Sequence, residues 1–218
     1  MLGFRLEHLT PFWVVGGAGS LVVAHALIVR GDWRLTFPYF ILTLLFYYGG
    51  NSLILSSRLP ETAVRRLGER RAWRAYESLL GLMFLNQGLG VGCMTALPSP
   101  GVTLTSWMPW LRGVGALLFV LGVVVKTWAT WLVGPDAFYY KDLFLRRPAV
   151  TFVRRGPYRW LRNPMYGVGQ LQAYGYALLA ASPLGILAAG VGQLLIYLFF
   201  FTVERPFVRA AYRMDGAG

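Results

Sequence analysis

Six stretches of this chain are long and apolar enough to cross a lipid bilayer, at about residues 11–29, 37–55, 78–97, 109–133, 165–181 and 184–203. A membrane helix needs about 20 largely apolar residues. The composition agrees, with 56% hydrophobic and only 14% charged residues, against about 25% charged in soluble domains. A disordered chain, a disulfide-stapled secreted domain and an ordinary water-soluble enzyme are thereby excluded. The expected fold is all-α: a polytopic helical membrane protein with about six transmembrane segments. The first is expected to be retained, since no A-x-A cleavage site follows it. The last two form one apolar run broken only by Ser182-Pro183. Proline lacks a backbone donor and disfavours helix at the residue before it, so a tight C-terminal helical hairpin is expected there.

Charge sets the orientation. The chain carries 21 Lys and Arg against 9 Asp and Glu, a net charge of +12. In a soluble protein that balance would point to nucleic acid; here it fits loops facing anionic headgroups, and no nucleic-acid partner is expected. Arg58, Arg65, Arg66, Arg70, Arg71 and Arg74 cluster in 58–77, and Lys141, Arg146, Arg147, Arg154, Arg155, Arg159 and Arg162 in 134–163. Arg205, Arg209 and Arg213 follow in the tail, whereas 98–108 has no cation. Six spans with both termini inside put every basic segment in the cytoplasm. The small size and short loops favour a bacterial inner membrane. The chain divides into N-terminal spans (1–107, with the basic loop 58–77) and a C-terminal part (108–218). The latter holds a span, a loop 134–162, a hairpin 163–203 and a tail. The loop is rich in Tyr and Phe, Tyr139 among them, as a segment at headgroup level should be.

Polar groups inside the spans are the informative exceptions, because burying one without a partner is costly. Gln193, Tyr197 and Glu204 share one helical face, and Asn163, Tyr166, Gln170 and Tyr174 make a matching stripe before the hairpin turn. The two stripes can line a polar slot open to the cytoplasm, or Gln170, Tyr174 and Gln193 can act as interhelical hydrogen-bonding glue. Gly167, Gly169 and Gly175 allow close backbone approach or admission of a flat ligand. Lys126 either snorkels to the interface or pairs with an anionic group. Asn51, Ser52, Asn86 and Gln87 read as packing groups. Cys93 stands alone and His8 and His25 are isolated from other ligand-type residues, so neither a disulfide nor a metal site is expected.

The run Gly156-Pro157-Tyr158-Arg159-Trp160-Leu161-Arg162-Asn163-Pro164-Met165-Tyr166 resembles the opening motif of integral-membrane methyltransferases. These include the phospholipid N-methyltransferases and isoprenylcysteine carboxyl methyltransferases. Asn163 is the form seen in phosphatidylethanolamine N-methyltransferases, where the isoprenylcysteine branch usually has His. The likeness continues through Tyr174, Gly175, Ala177 and Ser182-Pro183 to Glu204-x-Pro206-Phe207 and Tyr212-Arg213. It implies that 108–218 is a methyltransferase core binding S-adenosylmethionine on the cytoplasmic side and releasing S-adenosylhomocysteine. Position by position, it implies cofactor contacts at Arg159, Arg162, Asn163, Pro164, Tyr166, Glu204 and Arg205. Arg205 stands where the family commonly has a second Glu. A Gly-x-Gly assigned to the cofactor is matched in pattern by Gly113-Val114-Gly115 and in distance by Gly122. Glu204, Tyr166 and Asn163 are the expected catalytic residues, and Tyr158, Tyr139 and Lys126 the expected substrate contacts. The acceptor implied is the amine of a membrane phospholipid headgroup; the alternatives are an isoprenylcysteine-type carboxylate or another small lipophilic acceptor, and a non-catalytic scaffold.

Overall fold

The computed structural model describes residues 11–98, 108–148 and 153–211. His8, Tyr212 and Arg213 lie outside them. All described regular structure is helical. Among the described residues, five helical runs are long and apolar enough to span a bilayer: Pro11–Arg30, Trp33–Ser56, Glu69–Ala96, Met108–Gly134 and Pro183–Ala211. A helix satisfies its own backbone groups where no water can, and the outward side chains are apolar: Val15 is 72% exposed, Val22 68% and Leu117 67%. In water such exposure would be a liability; against lipid tails it is the expected surface. This is an integral membrane protein.

α1 (Pro11–Arg30) leads through Gly31-Asp32 into α2 (Trp33–Leu44), which the Asp32 carboxylate caps by accepting from Arg34 N at 2.9 Å. A π-helical turn, Leu45–Gly49, joins α2 to α3 (Gly50–Ser56) and makes one span of the three. The basic helix α4 (Leu59–Leu67) ends at Gly68, whose φ of 78° suits glycine, before α5 (Glu69–Ala96). Asn51 accepts from Tyr76 Oη at 2.6 Å and Asn86 donates to Ser20 Oγ at 2.9 Å. Both are packing groups, as expected.

α6 (Met108–Phe138) is broken at Gly134 (φ 79°, ψ 167°), where the chain leaves the span. Beyond the break, Lys141 pairs with Asp136 at 2.6 Å and lies 5.5 Å over the Trp73 ring. The short helix α7 (Lys141–Leu145) follows, and Arg147 reaches Glu69 at 2.7 Å. The aromatic-rich loop is therefore clamped onto α4 and α5 at the basic end of the molecule.

The segment 165–181 departs from the expected crossing. It holds a 3₁₀ turn (Val168–Gln170) and a nine-residue α8 (Leu171–Leu179), about 14 Å of α-helix and too short to span alone. The reason lies in Pro164 and the glycines after it: Gly167 N bonds to Asn163 O at 3.0 Å and Gly169 N to Pro164 O at 2.7 Å, which closes turns instead of an α ladder. α8 nonetheless runs antiparallel along α6. A Cβ on Gly115 would stand 2.9 Å from Leu179 N, and one on Gly122 or Gly175 would strike the Gln172 or Phe119 backbone. These glycines bring the two backbones together. The hairpin turns at Ser182, which is buried and whose Oγ accepts from Gly185 N at 3.1 Å as the cap of α9 (Pro183–Phe199). A second π-helical turn, Phe200–Glu204, leads to α10 (Arg205–Ala211).

Candidate active site

The turn made by Asn163-Pro164-Met165-Tyr166 aims the Tyr166 ring at the last span. Pro164 is fully buried beneath it, and Met165 Sδ accepts from Thr130 Oγ1 at 3.5 Å, tying the turn to α6. From the other limb, the π-helical turn delivers Glu204. Tyr166 Oη donates to Glu204 Oε2 at 2.7 Å, the ordinary length of a hydroxyl hydrogen bond. The Tyr140 and Tyr166 hydroxyls are 3.1 Å apart, which extends the chain to the clamped loop. Tyr140 holds a left-handed backbone (φ 61°) and packs its ring on Phe199 at 5.1 Å. Burial pushes its hydroxyl well above the ordinary tyrosine value, helped by Tyr166. It therefore stays protonated and able to donate.

These groups edge a cavity that opens to the surface. Its walls are aromatic (Tyr47, Tyr48, Phe84, Phe138, Tyr140, Tyr166) and its few polar groups include Lys126, Gln87, Gln170 and Glu204. Tyr158, in the 3₁₀ turn Gly156–Arg159, has a buried hydroxyl with no hydrogen-bond partner among the described residues. Burial makes it a weaker acid, pushing its pKa above the ordinary tyrosine value, and the Glu204 carboxylate, close enough to act on it, pushes it further the same way. A buried donor left unsatisfied costs about 1–3 kcal/mol; Tyr158 itself does not line the cavity.

The remaining expected residues fall in several places. Lys126 turns inward, 5.4 Å over the Phe84 ring, and lines the cavity instead of snorkelling. Arg159 and Arg162 are exposed, and Arg205 sits 5.5 Å over Phe201. Tyr139 is half-buried and touches Phe138 edge-on, while its neighbours Phe138 and Tyr140 line the cavity. Gly122 packs against Gln172. Tyr174 Oη donates to Gln193 Oε1 at 2.7 Å, and Gln193 Nε2 to Tyr166 O at 3.4 Å, so these two are the glue between the limbs.

The phospholipid methyltransferase profile matches residues 110–215, the stretch that carries both the Asn163–Tyr166 turn and Glu204. That segment is similar to the phospholipid methyltransferase family. The chain is 28% identical over 169 residues to a phosphatidylethanolamine N-methyltransferase of Komagataella phaffii, covering 75% of this chain and 19% of that protein. It is 26% identical over 167 residues to the one from Lodderomyces elongisporus, covering 73% and 19%. The Clavispora lusitaniae protein of the same name is 32% identical over 108 residues, 49% and 13% of the two chains. The chain thus spans a fifth or less of the length of these curated relatives. No solved structure matches it.

Within the matched segment, sequence reasoning passed over Tyr140 and Phe138. Outside that segment it passed over Tyr47 and Tyr48 on the first π-helical turn and Phe84 on α5, while Gln87 of α5, expected to be a packing group, lines the cavity instead. The available signal was Tyr47-Tyr48-Gly49-Gly50 within an otherwise apolar span. The two π-helical turns among the described residues serve one cavity, a placement in keeping with the frequent use of π bulges at functional sites.

Proposed function

We propose that the chain transfers a methyl group from S-adenosylmethionine to the amine of an ethanolamine-type phospholipid headgroup. In this reading the membrane is a bacterial inner membrane, the site opens to the cytoplasm, and both termini lie on that side. The observation that carries the proposal is the 2.7 Å Tyr166–Glu204 bond at a cavity sunk between helices of a membrane protein. When bound, the donor supplies a methyl carbon already activated by positively charged sulfur, so no protein nucleophile is required.

The residues present fit such a ligand. Aromatic faces of Tyr47, Phe84, Tyr140 and Tyr166 suit a flat ring and a cation. Glu204 offers the negative charge that a sulfonium or ammonium prefers. The unpartnered Tyr158 hydroxyl offers a donor beside it. Asn163 and Pro164 hold the turn that aims Tyr166.

The acceptor reacts only as the free amine, and Glu204 takes the proton that its ammonium sheds. Tyr166 fixes the carboxylate by donating to one oxygen, and Tyr140 steadies Tyr166 from behind. The low-dielectric walls favour the uncharged amine and exclude water that would compete for the proton. Arg159 and Arg162, exposed at the basic end, hold the lipid phosphate at headgroup level. Holding donor and acceptor in line supplies most of the acceleration.

Membranes containing the chain should move radiolabelled methyl from the donor into ethanolamine lipid, resolved by thin-layer separation. Label found only in a base-labile methyl ester would instead indicate carboxyl methylation. No label in any lipid would indicate a scaffold. Glu204→Ala should insert normally and lose turnover; near-normal turnover would remove this carboxylate from the reaction.

A further inference from the structure

Lys126 lies eight residues before Gly134, where α6 leaves the membrane, which puts it about 12 Å inside along the helix axis. A cation at that depth is costly and marks a functional group by default. Gly169 explains its direction: a Cβ there would stand 3.1 Å from Lys126 Cβ, so the backbone of the 3₁₀ turn covers that side of α6. The side chain instead runs over Phe84 into the cavity. No salt bridge ties it to a described residue.

Two carboxamides converge on the same region from separate elements. A Cβ on Gly192 of α9 would meet Gln87 Nε2 at 3.5 Å and Gln170 Nε2 at 3.9 Å. Both side chains line the cavity, and neither bonds to a described residue. One ammonium and two amide groups with unspent donors, gathered at one end of a cavity, are an anion receptor. The other end holds the carboxylate. Glu204 lies twelve residues beyond Gly192 along the same helical run, about 18 Å toward the basic end.

We infer that Lys126, with Gln87 and Gln170, binds the carboxylate of the methyl donor's amino-acid tail. This rests on the proposed methyl transfer and adds which way the donor lies. A lipid phosphate belongs at headgroup level, beside the arginines, and its amine reaches inward to Glu204. The sulfonium must meet that amine near Glu204, so the anion that satisfies Lys126 comes from a ligand extending deeper than the reacting centre. The amino-acid tail is the anionic part of the donor.

The test is equilibrium binding to the full chain in nanodiscs with two probes. S-adenosylhomocysteine carries the amino-acid tail; 5′-methylthioadenosine has the same nucleoside thioether without it. The wild-type chain should prefer the tailed probe by about 10- to 100-fold, the worth of a charge-assisted contact. Lys126→Met should bring the two probes to near parity by weakening only the tailed one, and retained methylthioadenosine binding reports an intact fold. Lys126→Arg should keep most of the preference. An unchanged preference in Lys126→Met overturns the inference, and does so whether or not KM for the lipid rises, which would send Lys126 to the phosphodiester. Binding of neither probe by the wild-type chain overturns this assignment and the methyltransferase reading together.

Discussion

At the scale of single residues the site is a short row of hydroxyls ending in a carboxylate. Removing one link without changing shape is the informative experiment. Tyr166→Phe deletes the 2.7 Å bond to Glu204 and leaves a ring of the same size. We expect turnover to fall about 100-fold, the lower range for a positioned acid–base group, with insertion and thermal stability in nanodiscs little changed. Tyr158→Phe separates structure from use. Its hydroxyl is buried without a protein partner, so losing it should stabilise the ligand-free protein by about 1 kcal/mol, read as a raised unfolding midpoint. The same change should weaken headgroup or donor binding. A destabilised variant with normal KM values would mean that the hydroxyl is satisfied within the protein. Glu204 and Tyr166 were legible from sequence because a carboxylate and a tyrosine in apolar helices stand out against their surroundings. Tyr140 was not, because one tyrosine in an aromatic-rich loop looks like its neighbours. Only the left-handed turn at φ 61° decides that Tyr140, and not Tyr139, points inward.

At the scale of helices, two devices place these residues, and they differ in how plainly the sequence announces them. The first is the glycine contact between α6 and α8. Gly122→Leu would drive a side chain into the Gln172 backbone, and the limbs would have to separate. We expect a loss of several kcal/mol, about 2–4 by analogy with overpacked cores, seen as poor yield of folded protein from membranes. Gly113→Leu, on the open side of α6 where a Cβ meets nothing, should be tolerated. The glycines were visible in the sequence, but their partner was not, since spacing alone cannot separate helix packing from cofactor binding. The second device is the π-helical turn. One residue more than an α turn needs is present in Phe200–Glu204. Deleting Thr202, whose exposed hydroxyl bonds to Leu198 O, should close the wide turn to an α ladder and displace the Glu204 carboxylate from Tyr166. Activity should disappear while membrane insertion survives. Nothing in the residue types marks such a turn beforehand. The break in 165–181 is a milder case: Pro164, Gly167 and Gly169 were visible, yet the hydropathy of the stretch read as one continuous crossing.

Across the whole molecule, apolar blocks and basic clusters settled the class of fold, because length, hydropathy and charge act without regard to detail. They said little about which helices touch. The cavity draws Tyr47 and Tyr48 from the second span, Phe84 and Gln87 from α5, Lys126 from α6 and Glu204 from the last helical run. The fragment 108–218 made alone should therefore bind donor poorly and turn over little, and co-expression with 1–107 should recover activity. Full activity of 108–218 alone would show the N-terminal spans to be dispensable. Orientation has its own test. In a Cys93→Ala background, Arg66→Cys and Arg209→Cys, both at exposed positions, should react with an impermeant thiol reagent only from the cytoplasmic side. Because the cavity wall begins with Tyr47 and its carboxylate arrives only with residue 204, a ribosome threading this chain into a bilayer has built most of the chamber before the acid exists. Those walls stay without their acid until the final helical run docks.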